Sequence, residues 1–332
     1  MKPKFRKALA ALLAVICALC LGRTALQLVQ YRQGDETYAQ AEELAGLPDL
    51  SDLPVVDFTG GSGSVSSSAS TDGAGEAPEE VPVWQDPYAQ ALKDMDFSAL
   101  RQQNPDVLGW ILIPGTRVSY PVVQGTDNSY YLDHTWRGGK NSVGAIFMEC
   151  RNSSDLSDFN TIIYGHRMNN RSMFGTLSQY KSRSYWQAHP YVYLTDDSGT
   201  HRYEIFAAGE VSVDSDVYRL GLRSNSGRQS FLDSCLSLSA LNTGVTPHVY
   251  DKVLTLSTCT GNGHATRWVV QAVCPGQAPE TPEIPQEEPT PQPDASQPEE
   301  SVQTPDVSQE SPAEPEQPQE PEPAPSQDIR PE

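Results

Sequence analysis

A mainly β fold, either an all-β barrel or a sandwich, is what the sequence predicts for the stretch from Val107 to Cys274. Three observations carry the prediction. The stretch is built of short apolar or alternating runs rich in Val, Ile, Tyr and Trp. Gly, Pro, Asn and Asp separate the runs, and these are the residues that turn a chain. Only two segments with helical character interrupt the series.

In order, the runs are "VLGWILIPG", "VSYPVVQG", "GAIFME", "NTIIYGH", "YVYLT", "HRYEIFAAGEV", "KVLTLSTC" and "RWVVQAV". The first interruption, "SMFGTLSQYKSRSYWQAH", follows the fourth run. The second, "GRQSFLDSCLSLSAL", lies before the last pair. About 165 residues of this kind can close a sizeable core. Just ahead of them, residues 86–105 carry apolar side chains at Tyr88, Leu92, Met95 and Leu100, a spacing for short helices that end before Pro105.

The flanks are of a different composition. Residues 1–7, "MKPKFRK", bring four basic residues ahead of the apolar run "ALAALLAVICALCLG". With Arg23 snorkelling to the interface, residues 8–29 are just long enough to cross a bilayer, which needs about 20 residues. They read as an uncleaved membrane anchor; a cleaved signal peptide is the competing reading, and no clear small-x-small site supports it. Positive charge at the start puts the N-terminus in the cytoplasm and the rest outside the cell. Residues 30–85, with "GGSGSVSSSAS" at their centre, cannot bury enough apolar area to offset their ordering entropy and read as a flexible linker. Residues 275–332 form a Pro/Glu-rich tail with 16 prolines, expected to be disordered and extended.

Charge and cysteine content narrow the function. The net charge is −20, and the tail accounts for −14 of it, with 15 acids against one arginine. The remainder is only mildly acidic, so a nucleic-acid partner is not expected, because phosphate contacts need a basic surface. Cys17 and Cys20 share a metal-like spacing, but they sit in the apolar run without other ligands. Among Cys150, Cys235 and Cys274 no spacing argues for a disulfide. No cofactor or metal is called for.

The densest chemistry lies in "VLTLSTCTGNGHATRWVVQA", residues 253–272. Strand alternation puts Val253, Thr255, Ser257 and Cys259 on one face and the leucines on the other. In the following run Trp268, Val270 and Ala272 form the apolar face, and Arg267 and Gln271 share the opposite one. A hairpin through the glycine-rich turn sets Cys259 against Arg267 on the same side, and a cation near a thiol favours the thiolate. Such a nucleophile also wants a base or an imidazolium. Of six histidines, His166 stands out, because it follows an apolar strand and a glycine and can reach over a sheet to the next strand.

"NTIIYGHRM" and "LTLSTCTGNGHATRW" resemble the two signature segments of the sortases, specifically class B, and "DVLGWILIPGTRVSYPVVQGTDNSYYLDH" resembles that family's first strands. The resemblance covers roughly residues 86–274. It implies a closed β-barrel of about eight strands with N-terminal helices and a helix before the cysteine strand. By motif it makes Cys259 the nucleophile, His166 the acid/base and Arg267 the oxyanion stabiliser, and it puts Asn128, Leu132, Tyr164 and Ser257 along the sorting-signal groove. The implied activity is that of a cysteine transpeptidase that cleaves a secreted protein's C-terminal sorting signal after Thr and passes it to an amine of cell-wall precursor or pilin. Two other readings remain open at this stage: a cysteine endopeptidase that uses water, and a non-catalytic surface or wall-binding protein.

Overall fold

The computed structural model describes residues 3–50, 53, 86–260 and 265–276, with side chains from residue 12 onward. Two units divide the chain, Met1–Pro279 and Glu280–Glu332, and all described residues belong to the first. Most of the expected linker, the tip of the 259–267 hairpin and the Pro/Glu-rich tail lie outside the described residues.

All eight predicted runs are strands: β1 Val107–Leu112, β2 Ser119–Val123, β3 Ile146–Met148, β4 Asn160–Tyr164, β5 Tyr191–Asp196, β6 Gly199–Ser212, β7 Lys252–Cys259 and β8 Thr266–Cys274. They close into a barrel in the order β1-β2-β3-β4-β7-β8-β6-β5, which decides between barrel and sandwich. Two of its pairings, β2 with β3 and β4 with β7, are parallel. The helices are α1 Pro3–Leu44, α2 Pro87–Leu92, α3 Ser98–Gln103, α4 Arg183–Ala188 and α5 Asn225–Leu238. Asp86 caps α2, its Oδ1 accepting from the amides of Tyr88 and Ala89 with Pro87 at the first helical position.

Both faces of the β7–β8 hairpin are covered. Leu254, Leu256, Trp268, Val270 and Ala272 turn into the barrel with Ile146 and Ile163. Val253, Val269 and Val273 turn outward and are buried under Phe231, Leu232 and Cys235 of α5. Gln271, on that outer face, donates to the Cys235 sulfur at 2.8 Å, and burial pushes the Cys235 thiol up to about 12. All six cysteines are free thiols.

The chain departs from the expected flexible linker at its start. Residues 30–44 do not leave the helix; they continue α1 without a break and pack on the barrel. Gly34, Tyr38, Ala41 and Ala45 are buried, at spacings of four, three and four, which is one face of a helix. Three of these four are Gly or Ala, so the face offers little large apolar area to a sequence reading, yet it lets the helix approach closely. A Cβ at Gly34 would stand 2.9 Å from Val143 Cγ2. The Tyr38 hydroxyl donates to the Gly144 carbonyl at 2.6 Å, and its ring meets Tyr120 edge-on at 5.1 Å. Trp136 Nε1 donates to Thr37 O at 3.1 Å and Asn141 Nδ2 to Gln30 O at 3.1 Å. Beyond Leu44 the helix stops in a Schellman motif: Leu47 N–H bonds Glu42 O, Gly46 N–H bonds Glu43 O, and Gly46 takes the left-handed φ of +65° that this motif needs. The N-terminal part of α1 is apolar and long enough to cross a membrane, and none of that apolar stretch is buried in the protein.

The buried Tyr38 hydroxyl gives a direct test of this docking. Tyr38→Phe deletes one hydrogen bond and leaves the Gly144 carbonyl without that donor, so it is expected to destabilise the fold by about 1–3 kcal/mol. Urea unfolding of the full chain should show a lower midpoint with an unchanged slope.

Candidate active site

Pairing on both sides of β7 builds the site. In parallel register with β4, Ser257 lies opposite Tyr164, and Gly165 N–H donates to Ser257 O at 3.2 Å. His166 is two residues beyond Tyr164 and Cys259 two beyond Ser257. Parallel strands advance together, so this register brings His166 and Cys259 to the same end of the β4–β7 pair. In antiparallel register with β8, Cys259 lies opposite Arg267. One short run of β7 thereby has the histidine strand on one flank and the arginine on the other.

These side chains open on a single cavity of about 220 Å³. Cys259, His166 and Arg267 line it together with Asn128, Leu132, Tyr164 and Ser257. All seven residues singled out from the sequence therefore meet in one place. Cys259, His166 and Arg267 are each partly exposed, accessible from solvent without being loose on the surface.

His166 is held by a backbone carbonyl. Its Nε2 lies 2.6 Å from Leu132 O. A carbonyl can only accept, so Nε2 carries a proton and Nδ1 is the nitrogen able to give up or take one. Leu132 belongs to a 3₁₀ turn at Tyr130–Leu132. That turn is fixed by Asp127, whose Oδ1 accepts from Ser129 N, Ser129 Oγ and Tyr130 N at 2.6, 2.6 and 2.8 Å. Gly144 passes beneath it with φ +63°; a Cβ there would lie 2.8 Å from both Leu132 O and Tyr131 O and 2.9 Å from His166 Cδ2. Only glycine leaves room for the imidazole and its carbonyl at once.

Arg267 Nη1 donates to Thr266 O at 2.9 Å, which ties the guanidinium to the start of β8. Leu132 is 44% exposed although it lines the cavity, so it offers an uncovered apolar wall. Phe147 and Tyr164 rings pack at 5.3 Å along the β3–β4 side. Burial, reinforced by the Glu149 charge and by donation to Glu149, holds the Tyr164 hydroxyl well above its ordinary range.

Sequence reasoning missed three contributors. Tyr218, in a short 3₁₀ turn between β6 and α5, bonds Ser257 Oγ at 2.8 Å and feels the charge of Arg267. Its segment has no strand pattern to mark it. Glu149 sits behind Asn128 and Tyr164, and nothing in "GAIFMECRN" separates a buried carboxylate from a solvated one. Gly165 is only the glycine after an apolar strand in sequence; in the fold a Cβ there would collide with Ile146 Cδ1.

Comparison with known proteins finds likeness in both sequence and fold. The family described as the Sortase domain matches residues 111–274. Sortase B of Staphylococcus aureus is 32% identical over 163 residues, which is 49% of this chain and 67% of that protein. Sortase B of Listeria monocytogenes is 34% identical over 160 residues, 48% of this chain and 65% of that protein. The chain thus spans about two thirds of the length of these two relatives. The solved structure of the Staphylococcus aureus sortase B–substrate complex superposes with a TM-score of 0.52 at 31% identity, over 55% of this chain and 85% of that one. A cysteine, a histidine and an arginine on three adjoining strand ends, one cavity, and this degree of likeness in sequence and fold lead to one assignment: the chain belongs to the sortase family, in class B, a group of cysteine transpeptidases.

Proposed function

We propose that this chain is a membrane-anchored transpeptidase acting outside the cell, with Cys259 as nucleophile, His166 as acid/base and Arg267 as oxyanion stabiliser. Residues 8–29 are its anchor. Its substrates are secreted proteins that carry a C-terminal sorting signal, cut after Thr, and its acceptor is an amine of cell-wall precursor or pilin. The observation that supports the reading most directly is the in-register pairing of Cys259 with Arg267 in the cavity that His166 also lines.

Each step uses a group already in place. The Cys259 thiolate adds to the carbonyl carbon after Thr, and the carbonyl oxygen gains the negative charge. Arg267 donates to that oxyanion, an interaction stronger in the transition state than with the neutral substrate. The tetrahedral species collapses, the C–N bond breaks, and His166 gives the Nδ1 proton to the departing amine. A thioester remains on Cys259. An acceptor amine adds to it, passes a proton back to His166, and expels the thiolate, leaving a new amide and the starting enzyme. Asn128, Leu132, Tyr164 and Ser257 line the path of the signal.

The deciding experiment incubates the protein with a panel of sorting-signal peptides and looks for the acyl-enzyme by mass spectrometry, with and without an amine acceptor. A mass increase on Cys259 and an amine-dependent ligated product are expected. Hydrolysis alone at every amine concentration would replace the transpeptidase by an endopeptidase, and no adduct with any peptide would remove Cys259 from the chemistry.

Three substitutions test the roles. Cys259→Ala should abolish the adduct while the urea midpoint stays near that of the parent, because one small, partly exposed side chain is lost. Arg267→Lys should lower kcat about 100-fold, the scale of one oxyanion donor, since a point charge does not reproduce the planar fork. Gly144→Ala forces a left-handed backbone that costs about 1–2 kcal/mol and crowds His166, so kcat should fall about tenfold or more alongside a lower melting temperature.

A further inference from the structure

Glu149, at the end of β3, stands directly behind the groove wall. Its side chain is 1% exposed. Oε2 accepts from Asn128 Nδ2 at 2.9 Å and from the Tyr164 hydroxyl at 2.9 Å, and Oε1 accepts from Arg151 Nε at 2.6 Å. Burial works against its charge, but donation from Arg151, Asn128 and Tyr164 and the charge of Arg151 outweigh it and hold the carboxyl down at about 2. Glu149 is therefore ionised and can only accept.

That fixes the polarity of two groove residues. Asn128 Oδ1 accepts from the Cys150 backbone N–H at 2.9 Å while Nδ2 donates to Glu149. A backbone N–H cannot accept and a carboxylate cannot donate, so the amide has one orientation and its reverse would break both bonds. The second Nδ2 proton is the donor that Asn128 has left to offer the cavity. Tyr164 spends its only hydroxyl proton on Glu149, so it presents lone pairs and a ring face. Without Glu149 the Tyr164 hydroxyl could turn its proton to the cavity, and Asn128 would keep only the Cys150 N–H to hold its amide.

We propose that Glu149 is a positioning residue for substrate recognition: it sets Asn128 as a donor and Tyr164 as an acceptor, so the groove selects a peptide with a carbonyl oxygen at Asn128 and an N–H or O–H donor at Tyr164. The proposal rests on the sorting-signal reading above and deepens it. It makes Glu149 act on binding, through its neighbours, with no part in bond breaking.

The test uses the full chain in detergent and a sorting-signal peptide that acylates Cys259. Glu149→Gln, which keeps the shape and retains one neutral acceptor, should raise KM about fivefold to tenfold with kcat within threefold. Glu149→Ala should raise KM further. In an Asn128→Ala background, where one of the groups that Glu149 holds is gone, Glu149→Gln should cost clearly less than it does alone. Unchanged KM in Glu149→Gln, a fall confined to kcat, or effects that simply multiply would each overturn the proposal. A second readout needs no turnover. The Asn128 side-chain amide pair, identified in nitrogen-15 spectra by its loss in Asn128→Ala, should move in Glu149→Gln; an unmoved pair means that Glu149 does not hold it. If no peptide acylates the wild-type protein, the transpeptidase reading fails, and the amide spectra still decide whether Glu149 orients Asn128.

Discussion

The register of β7 against its two neighbours is the constraint on which the site depends. Side chains on a strand alternate with a period of two, so a slip of one residue would send Cys259 to the opposite face and hand its position to Thr258 or Thr260. The register is held from both sides. Leu254 and Leu256 are committed to the barrel interior, and Val253 is committed to the layer under α5. Thr255, wholly buried, donates to Asn160 Oδ1 at 2.8 Å, which locks β7 to β4 by a side-chain bond as well as by the ladder. Two hydrophobic layers and one buried polar bond thus determine which atoms face the cavity. The chemistry inherits its alignment from packing several residues away.

A second dependence runs through the segment between β2 and β3. It supplies Asn128 and Leu132 to the cavity wall, the carbonyl that holds His166, and the glycine beneath that carbonyl. It also bonds α1, accepting at Gly144 and donating from Trp136 and Asn141. The imidazole and the docked helix therefore share one loop as their support. Irregular backbone of this length is ordered here because its polar groups are satisfied internally: Asp127 caps the first turn, Asn141 N–H bonds Asp133 O, and Ala145 N–H bonds Tyr131 O.

How much of this was legible follows from the kind of signal each part carries. The eight strands were readable because each is a short apolar run bounded by turn residues, and the cysteine face was readable because alternation is local. Closure into a barrel was not, since β2–β3 and β4–β7 are parallel pairings between segments whose periodicity says nothing of their partners. The class B resemblance carried that part. The docked half of α1 escaped because its buried face is Gly34, Tyr38, Ala41 and Ala45, three of them small and set among Gln and Glu, where close approach replaces apolar bulk. Glu149 and Tyr218 escaped because their importance lies in what they touch, Asn128 and Tyr164 for one and Ser257 for the other, and contacts between distant segments leave no trace in spacing.

The unbroken course of α1 has a consequence for where the enzyme works. On the proposed anchoring of residues 8–29 in a bilayer, the docked residues Gln30, Gly34 and Tyr38 all follow within about 14 Å of helix, at 1.5 Å per residue, and the helix runs on without a break. The barrel is then mounted on a short stiff mast instead of trailing on a leash. Its standoff from the lipid surface would then follow from helix length and from the Tyr38 contact. On that proposed anchoring the cleft would keep to a thin slab just above the headgroups.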